Sequence, residues 1–480
     1  MVEEISALEK ISAGLEPDRL TRQEILFQTN QYTNNFIDDL PQMQGFLPEG
    51  QLHLPQIGKP ALSFKALLSV FRTASEDGIN SASGRHLGFI PGGGLWMSGV
   101  GDYVAAITNK YAGVSFSSPG LVKIERAVIE WLTSVVGYPS EAYGDLTSGG
   151  SVATLIAIQT ARDAHRINSS NVRSSVIYVS RQTHHSTKKA IDTTGLHEAI
   201  LKIIPVDQYF RMDIVALEQE IESDIENGNN PFLIIASAGT TDTGAVDDLE
   251  AIGSISENNN IWFHVDAAYG GFFMLTDEGK LKMRGIERSD SVVIDPHKTL
   301  FIPYGSGAVL VRDRKKLLQS FSFKANYLQD VYAEEVIDPA DTGPELSRHN
   351  RALRIWFPLQ YHGIEMFAAA LKEKLLLCRY FYEKIAEVGF ETGPYPDLSV
   401  CIFRYPEGEE STINLKLVEM IQKDGRVYFS STRLNGKVWL RCAVVSHRTH
   451  LQEIDLGLKM LQHLVAKAGC VEITGAIQAE

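Results

Sequence analysis

Ile261-Trp262-Phe263-His264-Val265-Asp266-Ala267-Ala268-Tyr269 and Ser291-Val292-Val293-Ile294-Asp295-Pro296-His297-Lys298 share one pattern. Each begins as a short apolar run and stops on a charged residue or a turn. Apolar character without strict alternation marks strands covered on both faces, the signature of a parallel sheet between helix layers. In open sheets of this kind, ligands sit at the carboxyl ends of the strands. Asp266 ends one predicted strand and Lys298 follows another, so the two are expected to face one crevice.

The same alternation runs outward in both directions. Val122–Val136 carries Val122, Ile124, Val128, Ile129, Leu132 and Val135 at helical spacing, and Ser151–His165 reads as a second helix. Strands are predicted at Ser175–Val179, Ile200–Pro205, Phe232–Ser237 and Gly307–Val311, with helices over Met212–Ile225 and Leu249–Asn258. This alternation predicts an α/β fold with a mostly parallel sheet and helices on both faces. Beyond Trp356 the pattern changes to a long helix, Ala368–Val388, strands Leu398–Tyr405, Arg426–Ser431 and Val438–Val445, and a last helix over Leu451–Ala468. This is a small α+β C-terminal domain. The expected organisation is 1–85 as an N-terminal helical segment, 86–360 as the large domain and 361–480 as the small one.

The 480 residues suffice for more than one domain, and 44% hydrophobic with 22% charged residues is ordinary for a globular chain. A net charge of −14 argues against nucleic acid and anionic membrane surfaces as partners. No stretch approaches the roughly 18 apolar residues of a membrane span, and the start lacks a signal-peptide pattern. Cys378, Cys401, Cys442 and Cys470 have no C-x-x-C spacing, so they read as unreactive thiols of a cytoplasmic protein.

The chemistry follows from Asp266 and Lys298, 32 residues apart. An enzyme using pyridoxal 5′-phosphate (PLP) requires a lysine to form a Schiff base with the cofactor aldehyde and an acid to pair with the pyridinium nitrogen. That pairing favours the ionised acid and the protonated ring together. Leu146–Ser151 precedes a helix and contains Gly149-Gly150, which allow a phosphate to approach a helix N-terminus, though an ordinary cap is an equal reading of Gly-Gly-Ser alone. His184 and His185 follow a strand, where an imidazole can stack on a cofactor ring; no third metal ligand at usable spacing accompanies them. Gly239–Gly244 offers hydroxyls after another strand, or equally a capped turn. His447-Arg448-Thr449-His450 reads as a surface turn. Arg351 and Arg354 sit on a predicted helix as structural residues. Phe89, Ile90, Leu95, Trp96 and Tyr111 divide between an aromatic pocket and core.

These segments together resemble the group II PLP-dependent amino acid decarboxylases, the family of aromatic-L-amino-acid and glutamate decarboxylase. The resemblance spans nearly the whole chain and rests on Ser117–Gly120, Thr147–Thr154, Gln182–Ser186, Ala238–Thr241, His264–Tyr269, Asp295–Lys298, Arg351–Trp356 and Leu440–Thr449. It implies the type I fold of PLP enzymes, with a mostly parallel seven-stranded central sheet. It also implies a homodimer with sites at the interface and an N-terminal segment packed on the other subunit. By the same resemblance Lys298 binds the aldehyde, Asp266 the ring nitrogen, His184 one ring face and Ala268 the other. Gly149, Gly150 and Ser151 match the phosphate loop, with glycines where some relatives carry hydroxyls. His297 resembles a phosphate-side histidine, and Thr241 a threonine near the cofactor. The relatives' mobile-loop tyrosine, which protonates the reacting carbon, has Tyr332 as its nearest counterpart.

The expected reaction is decarboxylation of an L-amino acid to the amine and CO2, with an aromatic amino acid favoured as the substrate. A lost loop tyrosine would favour the alternative of aldehyde synthesis; a carbon–carbon lyase shares the scaffold. A non-enzymatic PLP-binding protein would need a degraded site, and lysine, acid and histidine are all present.

Overall fold

The computed structural model describes residues 1–57, 62–90, 92–322, 337–406 and 412–467. Its centre is a seven-stranded sheet: β1 (Tyr143–Thr147), β2 (Ser175–Ser180), β3 (Ile200–Ile204), β4 (Asn230–Ser237), β5 (Trp262–Asp266), β6 (Ser291–Ile294) and β7 (Gly307–Val311). Their spatial order is β1-β7-β6-β5-β4-β2-β3. β3, β2, β4, β5 and β6 run parallel, whereas β7 is antiparallel to both neighbours. The strand pleat sends alternate residues to opposite faces. Phe263, Val265, Val292 and Ile294 enter one buried cluster, while Trp262 and Val293 enter the cluster on the other face. The Gly150–Ala164 helix supplies Ala153, Ile156, Ala157 and Ala161 to the second.

β1 is the strand that the sequence pattern does not reveal. Its Tyr-Gly-Asp-Leu-Thr composition is poor for a strand, yet every residue is buried. Gly144 is required because a Cβ there would overlap the Val309 carbonyl of β7. Asp145 is required because it accepts hydrogen bonds from Arg348 and Thr342.

A second, antiparallel sheet comprises β8 (Glu391–Thr392), β9 (Val400–Arg404), β10 (Ser430–Leu434) and β11 (Lys437–Ala443), in the order β8-β9-β11-β10. Phe381 of the Ile364–Glu387 helix packs edge-on against Phe403, with ring centroids 5.2 Å apart. The strand expected at Arg426–Ser431 lies further along the chain, at β10. Asn435 and Gly436, with φ of 49° and 78°, form a turn suited to a tight hairpin and set the register from that end. Tyr428, left outside β10, instead donates its N–H to Arg85 and accepts from Leu87. Cys378, Cys401 and Cys442 are buried free thiols; Cys470 lies outside the described residues.

The helices Val2–Ser12, Arg19–Asp39 and Phe64–Glu76 bury none of their residues. Leu8, Ile11, Leu20, Phe27, Leu67 and Phe71 stay exposed. Among the described residues, no helix is long and apolar enough to cross a membrane.

Candidate active site

The carboxyl ends of β4, β5 and β6 open into a cavity of about 430 Å³. Lys298, Asp266, His184, Ala268, Gly149, Gly150, Ser151, Thr241 and His297 all line it. These residues are spread over 150 positions of sequence, and the sheet topology brings them together. Tyr332 lies outside the described residues.

Asp266 ends β5, and its Oδ1 accepts the Ala268 N–H at 3.1 Å, which turns the chain so that Ala268 also faces the cavity. Lys298 sits in the short Pro296–Thr299 helix after β6. Its Nζ is 3.1 Å from Asp295 Oδ2. Asp295 is buried, and its Oδ1 has no hydrogen-bond partner. His297 directs Nδ1 at the Ser306 carbonyl, so that nitrogen carries a proton and Nε2 is left toward Asp295, 3.7 Å away. Burial lowers the His297 pKa.

His184 is half-buried and lines the same cavity as Ala268. Burial lowers its pKa, and the charges of His185 and Lys298 act in the same direction against the opposing pull of Asp266. Gly149 adopts φ of 155°, and the following Gly150 opens the Gly150–Ala164 helix. A Cβ on Gly150 would stand 2.8 Å from Asp295 Oδ2, filling the space in front of the helix N–H groups. Free N–H groups at a helix start attract phosphate.

Some neighbours carry no obvious sequence signal. Ser237 at the end of β4 donates its N–H to Asp247, which is buried and whose carboxyl is pushed up to about 6 by that burial. The hydroxyl of Tyr269 bonds Ser399 Oγ at 2.8 Å and accepts the Ser399 N–H, joining the cavity wall to the segment before β9. Residues 84–90 and 92–95 form a strap that joins the small sheet to the segment around Lys298. Leu87 accepts the Ala443 N–H, Gly92 donates to His297, and Leu95 donates to Phe301. A Cβ on Gly92 would overlap the Lys298 carbonyl. The run Gly92-Gly93-Gly94 was the available signal for so close an approach.

His447–His450 is not a surface turn. Arg448 donates to the carbonyls of Ala82, Gly93 and Gly94, Thr449 donates to Gly84, and His447 is largely buried with Nδ1 at the Gly92 carbonyl. The segment latches the strap. Arg351 pairs with Glu345 and the Leu146 carbonyl, and Arg354 with Asp102, as structural residues do. Phe89, Trp96 and Tyr111 are exposed, Ile90 is core, and none of these borders the cavity. Among the described residues no group of side chains is arranged to hold a metal.

The residues lining the cavity fit PLP: an amine, carboxylates, an imidazole, a small methyl side chain and a glycine-opened helix start. The family described as "Pyridoxal-dependent decarboxylase conserved domain" matches residues 60–405. An aromatic-L-amino-acid decarboxylase of Bacillus atrophaeus is 33% identical over 82% of this chain and 83% of its own length. A phenylacetaldehyde synthase of Arabidopsis thaliana is 28% identical over 72% of this chain and 74% of its own. The Oryza sativa TDC crystallised with PLP and tryptamine superposes with a TM-score of 0.88 at 22% identity, covering 94% of this chain and 99% of that one. The chain therefore belongs to the pyridoxal-dependent decarboxylase family and is a PLP-dependent amino acid decarboxylase.

Proposed function

We propose that the substrate is an aromatic L-amino acid and that the products are its amine and CO2. One observation carries the site assignment: Lys298, Asp266, His184 and the Gly149–Ser151 loop line a single cavity at the strand ends. The aromatic preference is drawn from the decarboxylase names of the relatives.

In this reading Lys298 Nζ would hold the cofactor aldehyde. Asp266 accepts the proton-bearing ring nitrogen and keeps it charged. His184 and Ala268 confine the ring between them. The N–H groups of Gly149, Gly150 and Ser151 seat the phosphate, with His297 and Thr241 at its margins. When bound, PLP supplies a ring that withdraws the electron pair left on the α-carbon as CO2 departs. The cavity walls would orient the substrate, and that orientation would set which bond is broken. Tyr332 is our candidate for the proton returned to the α-carbon.

A second outcome is kept because one relative is a phenylacetaldehyde synthase. It would consume dioxygen and water and release CO2, aldehyde, ammonia and hydrogen peroxide. The exposed apolar residues of the three N-terminal helices support a homodimer in which this segment packs on the partner. The division at 85 and 360, and a cytoplasmic location, belong to the same proposal.

Incubating PLP-loaded protein with the protein amino acids and their hydroxylated derivatives tests it. Release of CO2 with stoichiometric amine from aromatic substrates is expected. Aldehyde and peroxide would establish the second outcome, and turnover confined to acidic amino acids would end the aromatic assignment.

A further inference from the structure

The protonation of the His184 side chain is biased by a neighbour. The Ser186 N–H donates to His184 Nδ1 at 3.3 Å, and Ser186 Oγ lies 2.7 Å from the same nitrogen. A backbone N–H has no lone pair, so this long contact favours a lone pair on Nδ1 without fixing it. The Ser186 hydroxyl then finds an acceptor there as well and donates its hydrogen. Ser186 is itself buried at the start of the Ser186–Thr193 helix, which fixes both donors relative to the ring. Nε2 is the ring nitrogen left for whatever enters the cavity.

We propose that Ser186 is a positioning residue that holds His184 in one neutral tautomer, bare at Nδ1 and protonated at Nε2. The imidazole then meets the reactants as a hydrogen-bond donor and not as a base. This rests on His184 being a site residue, and it adds which nitrogen acts and what sets it. Protonating Nδ1 would bring its hydrogen against the Ser186 N–H. The groups facing the ring divide: Asp266 and Asp295 favour a proton on it, while Lys298, His185 and burial oppose one. The donor pair on Nδ1 adds to the opposing side. A neutral Nε2–H suits an anionic acceptor such as a substrate carboxylate, and it has no proton to give to carbon at neutral pH. The α-carbon proton must come from another group.

The test uses full-length, PLP-loaded protein labelled with 15N at histidine, with the His184 signals assigned by their loss in His184→Gln. The wild type should show a bare Nδ1 and a protonated Nε2, unchanged between about pH 8 and pH 6. Ser186→Ala removes the short hydroxyl contact at 2.7 Å and leaves only the longer backbone N–H at 3.3 Å, so it should raise the share of the other tautomer and move the acid limb of kcat to higher pH. It should lower kcat about tenfold, the worth of one orienting hydrogen bond, with KM little changed. Ser186→Thr, which keeps the hydroxyl, should restore all three. A wild-type ring bare at Nε2, or doubly protonated at neutral pH, overturns the proposal whether or not the variants fold. So does a Ser186→Ala protein with the wild-type tautomer and pH profile. Retained activity in His184→Gln would instead remove the site reading on which the proposal rests.

Discussion

Asp295 Oδ2 stands 3.1 Å from Lys298 Nζ, while Asp295 Oδ1 is buried without a hydrogen-bond partner. The cavity therefore contains two acids, and the amine pairs with the one nearer the helix start. Asp295 also borders Gly150, so its charge faces the seat that a phosphate would take. Like charges at this range repel by up to about 4 kcal/mol at an effective dielectric of 20, and less once solvent or a proton intervenes. Asp295→Asn keeps the shape and removes the charge. PLP should bind this variant about tenfold more tightly in an absorbance titration of the apoprotein. Weaker binding would show that the carboxylate serves to orient the lysine and does not oppose the phosphate.

The buried imidazoles predict acid sensitivity. His86 and His264 are pushed down to about 4 and His447 to about 3, each chiefly by burial. Their folded-state values lie below those of the unfolded chain, so the unfolded chain takes the protons first. Their contribution is complete above about pH 6.5 and is lost as pH falls toward 4. His86 is the cleanest probe because its ring stacks on Tyr428, with centroids 5.7 Å apart, and neither nitrogen is bonded. His86→Phe keeps an aromatic ring there and removes the titration. The variant should gain more thermal stability over wild type at pH 5 than at pH 8, the excess at pH 5 being the removed titration. An equal difference at both pH values would assign the effect to packing.

These residues also show what the sequence makes legible. Strands β4 to β7 are readable because each is a continuous apolar run ending at a charge or turn. Asp266 and Lys298 are readable because the ends of such strands are where ligands collect. β1 was not readable, because Gly144 and Asp145 answer to β7 and Arg348, which are more than 150 positions away. Ser186 was unreadable for a different reason: its effect lies in which atom it gives to His184, and a local hydroxyl looks the same whether it caps a helix or sets a tautomer. The His447–His450 latch was misjudged because polar composition suggested solvent, whereas its partners are backbone carbonyls of the strap.

Arg348 is buried between Glu125 and Asp145, one cation for two carboxylates. Burial pushes the Glu125 carboxyl up to about 7. A folded-state value above the unfolded one means that stability is highest while the group is protonated and declines as pH rises from about 4.5 to 7. Glu125→Gln supplies a neutral acceptor and removes that decline, so the variant should be at least as stable as wild type at pH 8 by chemical denaturation. Arg348→Met leaves two buried carboxylates without their cation and should cost about 3–5 kcal/mol. If Glu125→Gln were the more damaging change, the network would depend on the second negative charge.

Gly150 offers a test of the phosphate seat that leaves Lys298 and Asp266 untouched. Its Cβ would stand 2.8 Å from Asp295 Oδ2 and project into the space before the Gly150–Ala164 helix. The backbone conformation at Gly150 is helical, so alanine is unstrained there and slightly favours the helix. Gly150→Ala should bind PLP at least tenfold more weakly, a loss greater than the stability the apoprotein gives up as the Asp295 carboxylate shifts away from the new methyl. Pyridoxal lacking the phosphate should lose little, because it does not occupy the seat. Equal weakening for both ligands would move the obstruction from the phosphate seat to the ring site, and the assignment of the Gly149–Ser151 loop would fall.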